Sequence, residues 1–441
     1  MDISLPTEVR HIIDTLKSRG FAAYAVGGCV RDSLRGVAPK DWDICTSALP
    51  EQTAQCFSGY HIIETGLQHG TITVRVERRS FEVTTFRVDG EYSDSRRPDD
   101  VRFVTDVTVD LARRDFTMNA MAFDTELIDP FGGRRDLEAR VIRCVGDANA
   151  RFREDALRIM RALRFASALG FRIEDETLDA IFANSPRLKY IAAERIAVEL
   201  NGLLLGGGVL GALTAYRDVL GDIIPELRPA FDFEQHNKHH IYDVWTHTAH
   251  AVAAAPPELT VRLALLLHDL GKPSCYTKTD GVGHFYGHPN VSAELAHKIL
   301  RRLKYPRETA RDVEALVLWH DAEVLPTARS VKRWLNRMTT EQFRRLLSVK
   351  RGDVSAQAEP YRTARLASLS EVERVLDTVI DERQCFSLHD LAVKGGDIAE
   401  LGASGAVIGA VLSELLALVT DDELPNERAV LLAAARKILS R

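Results

Sequence analysis

Two carboxylates flank a tryptophan in Asp41-Trp42-Asp43, and the segment runs straight into the apolar pair Ile44-Cys45. On an extended strand, side chains at i and i+2 point to the same face. The two like charges then repel unless a cation sits between them. Mg²⁺ suits this arrangement because it is hard, oxygen-seeking and able to bridge substrate phosphates. The competing reading is a strand whose charged face simply meets solvent, but it leaves the preceding turn without a use. That turn is Gly27-Gly28-Cys29-Val30-Arg31-Asp32, after a strand predicted over 21–26. Adjacent glycines let backbone N–H groups approach a triphosphate, and an arginine there neutralises its charge. Gly28 and Arg31 are therefore candidate nucleotide ligands, and Asp41 and Asp43 candidate Mg²⁺ ligands. Glu82, in Phe81-Glu82-Val83-Thr84-Thr85, is a third candidate carboxylate on a neighbouring strand. It would accept a proton from an attacking hydroxyl, and a solvent-facing edge position is its alternative.

The surrounding pattern sets the architecture. Residues 7–19 carry Val9, Ile12, Ile13 and Leu16 at helical spacing, and strands are predicted over 43–45, 70–77 and 80–88. This mixed signal lasts to about residue 145. Residues 89–100, rich in Asp, Ser, Arg and Pro, read as a loop. After Arg151 apolar residues recur at three and four, with breaks at Gly206-Gly207-Gly208 and between Pro225 and Pro229. A chain of 441 residues requires several cores. The expected fold class is α+β. A small mixed-sheet head over 1–145 precedes all-α segments over 146–230, 231–360 and 361–441.

Composition excludes some classes. The formal charge of −6 argues against a uniformly basic nucleic-acid binder while leaving room for local basic stripes. None of the six cysteines has CxxC spacing, so neither a disulfide framework nor a thiolate zinc site is suggested. The first ten residues show no apolar signal-peptide core, and the apolar stretch 406–419 is interrupted by Glu414 and too short to span a bilayer. The expectation is a cytoplasmic location with no membrane partner.

Two constellations remain. Residues 154–164 read as helical, with Asp155, Arg158, Arg161 and Arg164 recurring every three residues as one stripe. Ala156, Leu157, Ile159, Met160 and Leu163 occupy the other side. The stripe is then free to face a cleft, and its excess positive charge suits an anionic ligand; a solvated face is the blander reading. Further on, His247, His268-Asp269, His288, His320 and Asp353 are scattered over helical sequence. One buried histidine is usually a satisfied core residue. This many, with a His-Asp pair closing an apolar helix, point to a transition metal such as Ni²⁺, Mn²⁺, Zn²⁺ or Fe²⁺. His236, His239, His240, His284 and His297 are read as structural or solvent-exposed. His250, one turn from His247, fits either role.

These motifs carry a resemblance. Gly27-Gly28-x-Val30-Arg31-Asp32, Asp41-x-Asp43, Thr65 to Thr73, Arg113-Arg114-Asp115-Phe116-Thr117-Met118-Asn119-Ala120 and Glu154-Asp155-x-Leu157-Arg158 resemble the class II tRNA nucleotidyltransferase and bacterial poly(A) polymerase family, in order and with compatible spacing. The resemblance implies a head like the palm of DNA polymerase beta, with Mg²⁺ held by Asp41 and Asp43. It implies that Asp155 and Arg158 read the incoming base. Arg161 and Arg164 would hold phosphates or position the helix, and Arg114, Asp115 and Asn119 would touch ribose or triphosphate. Residues 391–409 are similar to the tail with which that family grips the tRNA elbow; helix capping alone is the competing account.

The order His247, His268-Asp269, Asp353 resembles the HD phosphohydrolase superfamily, whose members hold one metal with such residues. His288 and His320 would supply a second site or contacts to a substrate phosphate. A degenerate, metal-free module is the alternative. The implied chain is a nucleotidyltransferase head, a helical neck and body, an HD domain and a helical tail. It would add CCA to tRNA from CTP and ATP, with a metal-dependent phosphohydrolase activity beside it. The rivals are a poly(A) polymerase, a CC-adding enzyme and, from another class, a non-catalytic RNA-binding protein.

Overall fold

Short apolar runs bounded by glycines and polar turns make the strands of the head. They are β1 (Ala23–Val26), β2 (Asp43–Thr46), β3 (His61–Gly66), β4 (Thr71–Val76), β5 (Arg79–Thr85), β6 (Arg87–Asp89), β7 (Val101–Phe103), β8 (Ala122–Phe123) and β9 (Leu127–Ile128). The computed structural model describes residues 3–67, 70–89 and 101–440. Contacts divide the chain into two units, Met1–Pro225 and Glu226–Arg441. The expected loop over 89–100 lies outside the described residues beyond the end of β6, as do Gln68 and His69 of the Thr65 to Thr73 motif.

The seven-stranded sheet runs β3-β4-β5-β2-β1-β8-β9. β2 and β5 pair in parallel, with Asp43 opposite Glu82. Helix α1 (Thr7–Ser18) buries Val9, Ile12, Ile13 and Leu16, and packs on β1. Its apolar stripe at i, i+3, i+4 and i+7 leaves the charged positions to solvent. Around the sheet lie α2 (Gly28–Leu34), α3 (Pro50–Cys56), α4 (Val107–Ala112) and α5 (Gly133–Glu138). Val26, Cys45, Phe86, Leu111, Ala120, Ala122 and Val145 form a core beneath β1 and β2. Asp41 precedes β2 rather than lying within it. The i, i+2 strand argument therefore applies only at its edge.

The neck of the first unit consists of α6 (Ala148–Glu154), α7 (Leu157–Leu169), α8 (Asp175–Asn184), α9 (Ala193–Leu204), α10 (Val209–Ala215) and α11 (Arg217–Ile223). It is not wholly helical, since β10 (Val141–Ile142) and β11 (Arg172–Ile173) pair in parallel. The expected continuous helix over 154–164 is also broken. Asp155 adopts an extended conformation, φ −138° and ψ 103°, between α6 and α7. Its Oδ1 accepts the Leu157 N–H at 3.0 Å. An aspartate that satisfies an orphan N–H in this way favours a helix start over a helix interior. Leu157, Ile159, Met160, Ala162 and Leu163 are buried on α7, which packs against α9.

In the second unit, α12 (Val244–Ala254), α13 (Leu259–Leu267), α15 (His288–Arg302), α16 (Arg307–Trp319) and α18 (Thr340–Ser355) pack together. The short α14 (Lys272–Cys275) and the hairpin β12 (Thr277–Thr279) with β13 (Val282–His284) lie between α13 and α15. Next come α17 (Ala328–Arg337), α19 (Tyr361–Asp381) and the smaller α20 (Gly395–Ala399), α21 (Ala406–Thr420) and α22 (Arg428–Leu439). The last three enclose a core of Leu391, Val393, Ile398, Val411, Leu415 and Leu431. Among the described residues, no helix is long and apolar enough to cross a membrane.

Candidate active site and metal centre

The parallel register of β2 and β5 puts Asp43 and Glu82 on one face of the sheet. Withdrawal from water, the Glu82 charge and the nearby Asp41 push the Asp43 carboxyl above its ordinary pKa, and Arg114 works in the opposite direction. A carboxylate whose charge is disfavoured by its acidic neighbours, together with those neighbours, is a suitable donor set for a hard divalent cation. Arg114 reaches this neighbourhood because Gly27 lets it. Gly27 has φ +82°, and a Cβ there would meet Arg114 Nη1 at 2.9 Å. Any L side chain at Gly27 would thus be strained in its backbone and would displace the guanidinium.

Arg31 does not stand free at the turn. Its Nε and Nη2 donate to the two Asp32 oxygens, each at 2.9 Å, and its Nη1 donates to Asn119 Oδ1 at 2.9 Å. Asn119 Nδ2 then donates to Asp115 Oδ1 at 3.2 Å, and Arg161 Nε to Asp115 Oδ2 at 2.7 Å. Burial alone would raise the Asp115 pKa, yet Arg161 and Asn119 pull it down to about 2. Asp115 is thus a buried hub that couples head to neck. Asn119 links Asp115 to Arg31, and a Cβ on Gly28 would lie 3.8 Å from Arg31 Nη2.

The neck stripe is likewise held from a side that the sequence did not reveal. Asp155 Oδ2 accepts from Arg195 Nη2 at 2.8 Å. Arg158 donates to Glu154 Oε2 at 2.8 Å and to the Arg113 carbonyl at 3.0 Å. Arg164 Nε donates to Glu199 Oε2 at 2.5 Å, and Arg161 Nη1 lies 3.9 Å from Glu199 Oε1. Arg195 and Glu199 sit one turn apart on α9, so a single helix face positions three members of the stripe. The Phe165 ring fills the space among the arginines, with Arg31, Arg161 and Arg164 centred 5.1, 5.6 and 4.1 Å from it. The expected uncommitted stripe is therefore a cross-braced one. Its apolar back is buried as expected.

In the second unit the histidine cluster assembles. His247 comes from α12, His268 and Asp269 from the end of α13, His288 from the start of α15, His320 from the end of α16 and Asp353 from α18. His247 Nε2 lies 2.8 Å from Asp353 Oδ1, and His268 Nε2 lies 3.2 Å from Asp269 Oδ2. His288 Nε2 and His320 Nε2 lie 3.4 and 3.6 Å from Asp269 Oδ1. Ligand atoms of His247, His268 and Asp353, and of His268, Asp269 and His320, are close enough to share an ion. Among the described residues, Asp269 Oδ1 and His268 Nε2 are buried without a well-formed hydrogen bond, while Asp269 Oδ2 meets Lys272 Nζ at 2.6 Å. Orphaned buried polar atoms of this kind are costly, and a bound cation would satisfy them. Burial opposes the charge on His268, but Asp269 and Asp353 push it up to about 10, and both carboxyls lie well below their ordinary range.

His239, His240 and His284, read from sequence as structural or solvent-exposed, line a cavity of about 290 Å³ with Asp269, His288, His320 and Asp353. The His240 ring lies 5.1 Å from that of His247, and burial drives its pKa down to about 3. Lys272, Gln357 and Arg365 line the same cavity and were not singled out in the sequence. Lys272 Nζ lies 2.6 Å from Asp269 Oδ2. His250 stacks on Tyr242, with centroids 4.4 Å apart, and plays a packing role.

The chain is similar to known proteins over nearly its whole length. Residues 23–143 match the Poly A polymerase head domain, residues 170–219 the RNA and SrmB-binding site of polymerase A, and residues 281–435 the tRNA nucleotidyltransferase domain 2. The CCA-adding enzyme of Lactiplantibacillus plantarum is 34% identical over 449 residues, spanning 98% of this chain and 97% of that one. The chain belongs to the CCA-adding enzyme family. Within the family, identity to the Geobacillus kaustophilus enzyme rises to 51% over 209 residues, although that match spans only 47% of this chain and about half, 51%, of the relative. The structure of the Bacillus stearothermophilus CCA-adding enzyme in complex with CTP is similar over 98% of this chain and 97% of that one, with TM-score 0.72 and 30% identity. The Thermotoga maritima CCA-adding enzyme complexed with tRNA shares the fold at TM-score 0.63 and 19% identity. The Poly A polymerase head match, residues 23–143, includes the strands on which Asp43 and Glu82 lie in register.

Proposed function

We propose that this chain adds or repairs the 3′-terminal CCA of tRNA in the cytoplasm, using CTP and ATP. The observation that carries this reading is the acidic triad of Asp41, Asp43 and Glu82, set beside a glycine turn and a cross-braced Asp155/Arg158 pair. Asp41 and Asp43 would hold Mg²⁺, which when bound stabilises charge on the α-phosphate and eases ionisation of the attacking hydroxyl. The tRNA 3′-oxygen attacks the α-phosphorus, the bond to the β-phosphate breaks, and pyrophosphate leaves. Glu82 accepts the hydroxyl proton. Gly28 and Arg31 cradle the triphosphate, Arg114 neutralises it, and Asp115 and Asn119 hold Arg31 and Arg161 in place. Arg161 and Arg164 fix α7.

Asp155 and Arg158 choose the base. Cytosine and adenine each present an exocyclic amino donor beside a ring-nitrogen acceptor, which a carboxylate and a guanidinium complement. Uracil and guanine reverse both bonds and leave buried polar groups unpaired. The resemblance to a CTP complex over nearly the whole chain supports this reading. Supplying tRNA that lacks CCA with each nucleotide singly and then with CTP and ATP together tests it. Ordered addition of C, C and A is expected. Addition of A alone, in long tracts, would instead make the chain a poly(A) polymerase, and arrest after two C a CC-adding enzyme.

A second activity is favoured by the orphaned atoms of the histidine cluster. In this reading residues 231–360 form an HD phosphohydrolase domain, and residues 361–441 a tRNA-binding tail. His247, His268, Asp269 and Asp353 would hold Ni²⁺, Mn²⁺ or Zn²⁺, with His288 and His320 in contact with a second ion or a substrate phosphate. The metal supplies Lewis acidity toward water and a phosphoryl oxygen. A tRNA end with a 2′,3′-cyclic or terminal phosphate lacks the hydroxyl that the head requires, which makes such an end a suitable substrate. Hydrolysis of 2′,3′-cyclic nucleotides by metal-loaded wild type, absent in Asp269→Ala while CCA addition continues in both, is the expected result. No hydrolysis above the variant would make the cluster structural.

A further inference from the structure

We infer that Asp110 is a positioning residue for nucleotidyl transfer, a buried carboxylate that holds Arg158 and Arg114 in place. This rests on the nucleotidyltransferase reading of the head and names a residue on which that reaction depends. Asp110 lies on α4 with 1% of its surface exposed. Its Oδ1 accepts from Arg113 Nε at 3.0 Å, from Arg113 Nη2 at 2.8 Å and from the Arg87 backbone N–H at 3.2 Å. Among the described residues its Oδ2 has no hydrogen-bond partner, and Arg114 Nη2 stands 3.6 Å away. Arg113 and Arg114 follow Asp110 by three and four residues, so both turn back onto one carboxylate.

Each contact leads to a part of the site. The Arg113 main-chain carbonyl accepts from Arg158 Nη2 at 3.0 Å. The side chain that Asp110 grips and the group that seats Arg158 therefore belong to one residue. Arg114 is the cation that opposes the acidic neighbours of Asp43, and Gly27 leaves the room that its Nη1 occupies. At 3.6 Å from Asp110 it is held by charge without a short bond, and so stays available to an anionic ligand. Arg87 opens β6 just past β5, the strand that carries Glu82. Burial first, and then charges led by that of Asp110, push the Cys45 thiol upward, which sets Asp110 close to β2 two residues past Asp43. One carboxylate thus ties together the segments that bear Glu82, Arg114 and the seat of Arg158. A carboxylate taken out of water is costly unless paired, and apolar side chains of similar volume often stabilise a core as well or better. What this buried cluster supplies is orientation, which a base-reading guanidinium and a triphosphate-facing one both require.

The test is a double-mutant cycle on the full chain. With Mg²⁺ and tRNA that lacks CCA, kcat/KM for CTP is measured for wild type, Asp110→Asn, Arg158→Ala and the double variant. Asp110→Asn keeps the shape and is expected to lower kcat/KM about tenfold, within the range for members of one hydrogen-bond network. The double variant should then fall below Arg158→Ala by about twofold or less. KM for tRNA should stay as in wild type. A residue that only stabilises the fold lowers the melting temperature and leaves the two losses multiplicative. That result overturns the proposal, as does full activity of Asp110→Asn. If Asp110→Asn fails to fold, Arg113→Met takes its place in the cycle. It removes the same contact from the other side, keeps the carbonyl, and alters a side chain that is 19% exposed. The readings separate. Unchanged ratios of UTP to CTP incorporation in Arg158→Ala remove base reading and leave the coupling to stand. Relaxed ratios in Arg158→Ala with multiplicative losses keep base reading and remove Asp110. Wild type that adds no nucleotide removes the nucleotidyltransferase reading, and this proposal with it.

Discussion

Arg195 Nη2 stands 2.8 Å from Asp155 Oδ2, an ion pair that ties α9 to the break between α6 and α7. Asp155 also caps α7 through its other oxygen, so its carboxylate is fixed at both atoms. A carboxylate has about four acceptor sites, and these two bonds leave lone pairs for an exocyclic amino group. Among the described residues Arg195 Nη1 is buried without a hydrogen-bond partner, and its Nη2 is given to Asp155. Arg195→Ala is expected to raise UTP and GTP incorporation relative to CTP about tenfold. Arg195→Lys keeps the charge but loses the planar fork, and restores selectivity only in part. Competition among the four nucleotides on one tRNA reads this out, and a uniform drop with unchanged ratios would reduce Arg195 to a structural role.

Asp155 and Arg158, the proposed base readers, should behave as a pair. Asp155→Ala and Arg158→Ala each remove one half of the polar complement, so discrimination against uracil and guanine falls along with the rate. Single-turnover rates with each nucleotide separate the two effects. If all four rates fall by one common factor, the pair does not read the base.

At the head, Asp41→Asn or Asp43→Asn is expected to lower addition of both C and A by at least about a hundredfold, because losing a metal-holding carboxylate removes several kcal/mol of transition-state stabilisation. Binding of tRNA, followed by gel retardation, should stay near wild type. Residual addition within roughly tenfold of wild type would contradict the assignment.

Asp115 makes a prediction about stability. Its folded pKa of about 2 lies below the ordinary value of 3.8. A depressed acid stabilises the fold above its unfolded pKa and loses that contribution as pH falls through its folded pKa. Asp115→Asn should therefore cost about 2 kcal/mol at neutral pH. The gap to wild type should shrink between about pH 4 and pH 2. Urea unfolding across that range measures it, and a gap independent of pH would show that the carboxylate charge contributes nothing.

Metal removal should be visible without any assay of hydrolysis. The orphaned Asp269 and His268 atoms gain partners when a cation enters, so Ni²⁺ or Mn²⁺ added to chelator-stripped protein should raise its melting temperature. At a hundredfold excess over Kd the stabilisation is about 2.7 kcal/mol. Asp269→Ala should show no such rise. An equal rise in both proteins would place the ion elsewhere.

Local pattern was enough for much of this chain. The i, i+3, i+4 stripe of α1, the short strands around Gly27-Gly28, and the His-Asp pair that closes the apolar α13 each follow from residues near one another in sequence. The expectations placed on Asp41, Asp43, Arg158 and His268 likewise rest on residue type and local spacing. Tertiary structure alone decided what faces what. Asp43 lies opposite Glu82 only through the parallel pairing of strands almost forty residues apart, a register set by the whole sheet. Arg195 and Glu199 carry no motif of their own, and they matter because α9 packs on α7. His240, His284, Lys272 and Arg365 reach the histidine cluster through helix packing and a hairpin, neither of which leaves a local periodic trace. Even the break at Asp155 came from a side chain satisfying a backbone N–H, which won over a helical repeat that on paper was unbroken. Residue type sets what a group can do, and only the packed chain sets which other groups lie within a few ångströms of it.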